Sequence, residues 1–317
     1  MGNGIVWVLH KLHSDTTIML TKFIISTFGF NPSIGGLTVL HKLSHMLNEH
    51  GYESYLAHSR DFGIDHASPN VPFVTSPRYN TKLVTDEVLD NINDYVIIYP
   101  ESWVGNYLGG NKVVRWILSP PEQHKVATWS DDDLWFWYST MYSSTSLNSN
   151  KYTKDTNNHL TVEEFYRDIF RNNHHIQRDI NSWTLRKATN KVNTSDFIHE
   201  HDSVFISYEA AGDMVWLNEI FNRSNKFYSY DTYTFLNVQA LMCGTDSIVV
   251  PSQNLSHDEF INYGKYNKFI AYGLSDLERA KNERIQFDDF IQSQETESIN
   301  QLHLFVEKCN DYFKTKG

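Results

Sequence analysis

Arg186 and Lys187 end a short stretch, SWTLRK, that reads as a strand over residues 182–186. Ligands of open α/β sheets bind in the crevice beyond the carboxyl ends of the strands, so two cations placed there meet whatever anion the crevice admits. They suit a diphosphate leaving group, whose developing charge needs fixed positive partners. A solvated basic strand end accounts for the same two residues.

Other groups have the types and spacing for related chemistry. In Asn31-Pro32-Ser33-Ile34-Gly35-Gly36, between a strand and a helix, Gly35 and Gly36 let a backbone approach a ligand closely, and the helix start attracts anions. A tight strand-to-helix turn explains them equally, and the pattern is not G-x-G-x-x-G. Tyr230, Asp231, Thr232 and Thr234 stand at a second strand-to-helix turn, where hydroxyls and free N–H groups make a phosphate seat. Asp231 or Thr232 acting as a plain helix cap is the alternative. Gln239 follows Asp231 by eight positions, further into that helix. Glu101 follows the apolar run YVIIYP and is a candidate general base or sugar-hydroxyl ligand, or else a structural hydrogen-bond partner.

Metal chemistry has weaker signals. Asp131, Asp132 and Asp133 form a D-x-D pattern of the kind that holds a divalent cation against a diphosphate, or an acidic turn before the strand LWFWY. His41 and His45 have zinc-chelating i, i+4 spacing, but there is no H-E-x-x-H pattern, and a solvent-facing pair is expected. His174, His175, His199 and His201 fall in polar stretches expected to be exposed. No metal site is expected.

The elements that must position these groups alternate. Strands are expected at residues 5–9, 22–27, 54–58, 95–99 and 112–118, with a helix at 37–48 whose Leu37, Leu40, Leu43 and Leu47 share one face. Gly51 ends that helix. A polar Ser/Thr/Asn-rich stretch at 142–159 reads as a surface loop near a domain boundary, and a charged amphipathic helix is expected over 162–171. Strands at 182–186, 203–207, 227–230, 247–250 and 268–272 then alternate with helices at 213–222, 234–243 and 275–281, and a helix at 300–313 closes the chain. Such alternation predicts an α/β fold of parallel sheets, in two Rossmann-like domains facing a cleft. The expected division is a first domain at 1–160, a second at 161–294, and a terminal helix at 295–317 that packs back toward the first domain.

Composition narrows the function classes. A net charge of −11 and the lack of a dense Lys/Arg run lead to the expectation of no nucleic-acid partner. Two cysteines in 317 residues, no secretory leader and no long apolar run predict a soluble cytoplasmic protein with no transmembrane segment. Aromatic residues make up 14%, which suits stacking on sugar faces and equally reflects a biased genome.

Taken in order, NPSIGG with TVLHKLSHMLNEHGYESYLAH, then IIYPESWVGNYLGGNKVVRWILSPP, WTLRKA, FYSYDTYTFLNVQALMCGTDSIVVP and FIAYGLSDLERA resemble segments of GT-B glycosyltransferases, of a branch found in polysaccharide gene clusters and large viruses. The resemblance covers residues 31–280 and implies that the domain at 1–160 is the acceptor side and the one at 161–294 binds the donor. It implies a hexosyl- or pentosyltransferase that takes a nucleoside diphosphate sugar as donor and a glycan or glycoconjugate as acceptor, with no separate cofactor. By position Arg186 and Lys187 would meet the diphosphate, with Thr232 and Thr234 near the same phosphates. Many such enzymes carry Glu-x7-Glu, whose second Glu binds the ribose. Here Asp231-x7-Gln239 occupies the spacing, and an amide bonds hydroxyls more weakly than a carboxylate. A metal-dependent transferase using Asp131 to Asp133 and a non-catalytic carbohydrate- or nucleotide-binding module of the same fold are the alternatives.

Overall fold

The computed structural model describes residues 21–58, 73–143, 154–186, 197–252 and 255–315. The strand expected at 5–9 lies outside them. Two sheets are present, and every strand pairing in both is parallel. The first contains β1 (Lys22–Thr27), β2 (Glu53–His58), β3 (Lys82–Leu83), β4 (Tyr95–Pro100), β5 (Val113–Ile117) and β6 (Leu134–Trp137), in the order β3-β2-β1-β4-β5-β6. The second contains β7 (Ile180–Thr184), β8 (Val204–Phe205), β9 (Ser224–Ser229), β10 (Asp246–Val249) and β11 (Ala271–Tyr272), in the order β11-β10-β9-β7-β8. This is the expected α/β architecture of two Rossmann-like halves.

Parallel strands are covered on both faces and so read as unbroken apolar runs. All six residues of β4 are buried. Val96 and Ile98 enter one core beneath α1 (Gly35–Glu49), while Ile97 and Tyr99 enter another on the opposite face. Leu40, Leu43 and Leu47 of α1 are buried as their spacing predicts, with Met46 beside them. Gly51 follows the helix in the left-handed region, at φ +84°, which glycine adopts without strain.

The terminal helix is twice the expected length. It runs as α9 (Phe287–Lys314), because no Gly or Pro interrupts residues 287–314. Phe287 and Ile291 pack in a core of the second sheet, whereas Leu302, Phe305, Cys309 and Phe313 complete the core of the first. Full burial of each such Leu or Phe contributes roughly 1.5–3 kcal/mol, so α9 fastens one half to the other.

Residues 161–166 carry no regular structure and 167–169 form a turn, rather than the expected helix. Their side chains serve different partners. Leu160 and Val162 enter the core of the first sheet, and Phe165, Tyr166 and Phe170 enter two cores of the second. No single helical face could supply both. Glu164 meets Lys42 of α1 at 2.9 Å and accepts a 3.0 Å hydrogen bond from Tyr79, and Arg78 pairs with Asp168 at 2.6 Å.

Residues 154–159 do more than loop across the surface. Asp155 accepts the Trp135 N–H at 3.1 Å, and His159 bridges Trp137 in parallel, so the segment covers the open edge of β6.

Apolar periodicity misses four helices among the described residues: α2 (Asp86–Asp90), α3 (Gln123–Val126), α4 (Thr140–Ser143) and α7 (His257–Tyr263), the last opening on a capping box between Ser256 and Glu259. The remaining helices of the second half are α5 (Met214–Arg223), α6 (Leu236–Met242) and α8 (Leu277–Glu283).

Candidate functional site

Arg186 leaves the carboxyl end of β7 and is half-buried. Its Nη2 donates to the Ser33 carbonyl at 3.1 Å, which brings the 31–36 turn of the first half against the second. The guanidinium lies over the Tyr208 ring, 4.6 Å from its centroid. Among the described residues no carboxylate lies within ion-pair distance of it, although the Glu209 charge acts on it from further off, and its buried Nε has no hydrogen-bond partner. A cation with an unspent, desolvated donor is built to receive an acceptor. Lys187 lies outside the described residues.

The facing turn is shaped by its own sequence. The Asn31 side chain accepts the Ser33 N–H at 2.9 Å, and the Asn31 carbonyl accepts Ile34 N–H at 3.1 Å. Ile34 at the N-cap of α1 offers no side-chain acceptor to the first helical N–H groups. Gly35 and Gly36 have ordinary φ, and a methyl group on Gly35 would meet nothing within 4 Å. Glycine weakens a helix by up to about 1 kcal/mol against alanine. Neither backbone strain nor packing requires Gly35, so its small size leaves open space in front of the helix start.

Gly212 is the reverse case. A Cβ there would stand 2.5 Å from Ser33 Oγ, so a larger residue would make the Ser33 hydroxyl turn away where the two halves meet. Tyr208 and Gly212 carry no site motif in the sequence, and Ser33 is marked only by its place in the 31–36 turn. Their one legible signal is position: residues 208–212 lie between β8 and α5, and so, like 31–36, form a strand-to-helix turn at a sheet's carboxyl end.

The second phosphate candidate divides. Asp231, 2% exposed, turns its carboxylate to the backbone N–H of Arg186, with its two oxygens at 3.2 and 3.1 Å. Tyr230 is buried, and its hydroxyl accepts the Ile198 N–H at 2.8 Å and meets His199 Nδ1 at 2.8 Å. Thr232 and Thr234 are half-buried, and Thr234 Oγ1 accepts Leu236 N–H at 3.4 Å. The helix α6 begins at Leu236, so Gln239 is its fourth residue and lies in the first turn rather than deeper. Gln239 is 9% exposed, and its side-chain amide, which bonds to none of the described residues, is not among the fully buried polar groups left unpartnered.

Glu101 follows β4 and ties down the end of β5. It accepts Leu118 N–H at 2.9 Å and Ser119 Oγ–H at 2.7 Å. Burial raises its pKa, and those two hydrogen bonds offset part of the rise. Leu118 in turn packs toward Gly36, whose Cβ position lies 3.8 Å from Leu118 Cδ1. Glu101 is thus linked through one residue to the start of α1.

The D-x-D alternative loses its last carboxylate. Asp133 is 3% exposed and pairs with the Arg115 Nε at 2.7 Å, while Asp131 and Asp132 are exposed. Arg115 is itself 1% exposed, donates to the Gly105 carbonyl at 2.6 Å, and is flanked by the Tyr99 and Trp129 rings. The expected solvent-facing histidine pair is also corrected. His41 is fully buried, donates from Nε2 to the Phe28 carbonyl at 2.9 Å and stacks on Phe73, while the His45 ring stacks on Tyr79. His199 is half-buried against Trp183, with ring centroids 4.2 Å apart, whereas His174, His175 and His201 are exposed.

No family model matches the chain, and no curated protein matches it in sequence. Solved structures of similar arrangement include an alpha-glucosyltransferase in complex with UDP and a 13-mer DNA containing an HMU base, at 11% identity and TM-score 0.47 over 93% of this chain and 98% of that one. T4 phage BGT in complex with its UDP-glucose substrate is 10% identical, with TM-score 0.46 over the same shares, 93% and 98%. Sucrose-phosphate synthase from Thermosynechococcus elongatus is 8% identical, with TM-score 0.45 over 93% and 98%.

One expectation is corrected by these structures. Several of the similar chains hold DNA, so the exclusion of a nucleic-acid partner is withdrawn. Its premise was a summed charge of −11, and a sum over the whole surface does not fix the sign of any one face. Among the described residues no helix is long and apolar enough to cross a membrane.

Proposed function

We propose that the chain is a glycosyltransferase that moves a hexosyl or pentosyl group from a nucleoside diphosphate sugar to a hydroxyl acceptor, with the donor as substrate and no separate cofactor. The observation that carries this is Arg186: a strand-end guanidinium, unpaired by any carboxylate among the described residues, with a buried free Nε, facing the open start of α1. The order and spacing of the segments that resemble GT-B glycosyltransferases support it, and the branch of polysaccharide clusters and large viruses is part of the same proposal.

Catalysis in this reading rests on orientation and on stabilising the departing diphosphate. Arg186 takes part of the leaving group's charge. Glu101, its pKa raised by burial, accepts the proton of the attacking hydroxyl. Its oxygens already accept two hydrogen bonds, and a carboxylate has about four acceptor sites, which leaves room for a hydroxyl. The acceptor is a glycan or glycoconjugate. DNA belongs among the acceptors tested, since the similar alpha-glucosyltransferase structures contain it. Gln239 in place of a carboxylate favours a second reading, a binding module of the same fold without turnover.

A panel of nucleoside diphosphate sugars, first in thermal shift and then in an assay of nucleoside diphosphate release with oligosaccharides or an HMU-containing duplex, tests both. Release with any donor supports the transferase. Donor binding without release under any condition leaves the binding module. A chain that binds no donor overturns both.

A further inference from the structure

Asp231 follows β9 by two residues and is 2% exposed. A carboxylate so far from water must be met by donors. The geometry of β7 and β9 explains which. Their ladder pairs Thr184 with Ser229, and one more main-chain bond follows, from Tyr230 N–H to the Thr184 carbonyl at 3.0 Å. Two residues beyond Thr184, the N–H of Arg186 donates to the Asp231 carboxylate, with both oxygens within 3.2 Å. The side chain thus continues the pairing where the two main chains separate. Ser229 Oγ donates to the Asp231 carbonyl at 2.7 Å and holds that residue's own backbone.

We infer that Asp231 is a positioning residue that acts through Arg186. It fixes the peptide from which the guanidinium projects toward Ser33 and Tyr208, and it does so without touching the donor. This rests on the reading of Arg186 as the diphosphate contact, and it departs from the placement of Asp231 among the ligand-binding residues. An acceptor that meets a peptide N–H costs little reorganisation when ligand arrives, whereas a mobile strand end would have to be ordered at that moment.

The test is a double-mutant cycle on UDP affinity by calorimetry, with wild type, Arg186→Ala, Asp231→Asn and the double variant. Asp231→Asn alone is expected to weaken UDP roughly 5- to 20-fold, as the loss of one charge-assisted contact does. In the Arg186→Ala background it is expected to change affinity by less than about 2-fold. Equal losses in both backgrounds show a direct ligand contact and overturn the inference, while the diphosphate reading stands. Unchanged affinity in Arg186→Ala alone overturns that reading, and the inference with it. A ligand-free measurement covers an Asn variant that folds poorly. In Asp231→Glu, amide hydrogen exchange at Arg186 is expected to quicken relative to Thr184, and equal protection in variant and wild type overturns the clamp.

Discussion

The Arg186 guanidinium and the Ser33 carbonyl, 3.1 Å apart, join the carboxyl end of a strand in one sheet to the turn that opens α1 in the other. Either partner alone is ordinary, a cation at a strand end and a loop carbonyl. Together, with Gly212 close beside Ser33, they put a charged donor where the two halves meet. A carbonyl satisfies one N–H and neutralises no charge, so this contact leaves the guanidinium able to take an anion.

Arg186→Ala is therefore expected to weaken UDP binding by roughly 1.5–3 kcal/mol, the usual worth of a hydrogen bond to a charged group. Arg186→Lys should recover part of that loss, since it keeps the charge and gives up the fork and the stacking on Tyr208. Calorimetry reads both. Wild-type affinity in the alanine variant would place the diphosphate elsewhere.

A separate prediction concerns stability. Arg115 and Asp133 are both almost fully buried, and removing one partner of a buried pair leaves an uncompensated charge. Asp133→Ala should cost about 3–5 kcal/mol, whereas the apolar double replacement Arg115→Met with Asp133→Leu should cost less. Chemical denaturation of the two measures the difference. Were Asp133 a metal ligand instead, its alanine variant would fold normally and lose dependence on divalent cations.

His41 gives the fold a pH limit. Burial lowers its pKa below the ordinary value of 6.5, and the hydrogen bond to the Phe28 carbonyl opposes this only in part. A depressed histidine means that the unfolded chain binds the proton more readily, so stability rises with pH through that window and falls as pH drops below about 6.5. His45, His50, His159 and His199 are shifted the same way, each chiefly by burial. Melting temperature is expected to decline from about pH 7.5 toward about pH 5.5, as the coupling of proton uptake to unfolding requires, and less steeply in His41→Gln. An identical slope in that variant would remove His41 from the account.

Much of the scaffold is legible because its signals are local. YVIIYP can only be a strand covered on both faces, and the strand at residues 22–27 is delimited to the residue. The 162–171 segment misleads because its apolar residues, counted along the chain, look like one helical face, although they are shared among three cores. His41 looks solvent-facing because a histidine carries no mark of burial until Phe73 stacks on it. In the site, Arg186 is legible from its place at a strand end. Ser33, Tyr208 and Gly212 are not, because what matters in them is a carbonyl, a ring beneath a guanidinium and a missing side chain, all brought together by tertiary approach.

Gln239 supports a prediction in which stability and affinity move separately. It lies in the first turn of α6, three residues beyond Leu236, or roughly 4.5 Å along the helix axis. The residue is buried, at 9% exposed, and its amide has no partner among the described residues. That amide is not among the fully buried polar groups left unpartnered, so it stays accessible to water, whose place donor ribose hydroxyls would take. Gln239→Leu removes the amide without breaking a hydrogen bond to any described residue, so its melting temperature should hold while UDP affinity falls roughly 2- to 10-fold. Gln239→Glu should do the reverse. Without nucleotide a carboxylate at that depth lowers the melting temperature. With nucleotide it accepts hydroxyls more strongly than an amide does, so UDP affinity is kept or increased and the lost stability returns on binding. Melting curves with and without UDP, on both variants, check the pattern. A glutamate variant that loses stability and affinity together would make Gln239 a structural amide and remove the ribose assignment.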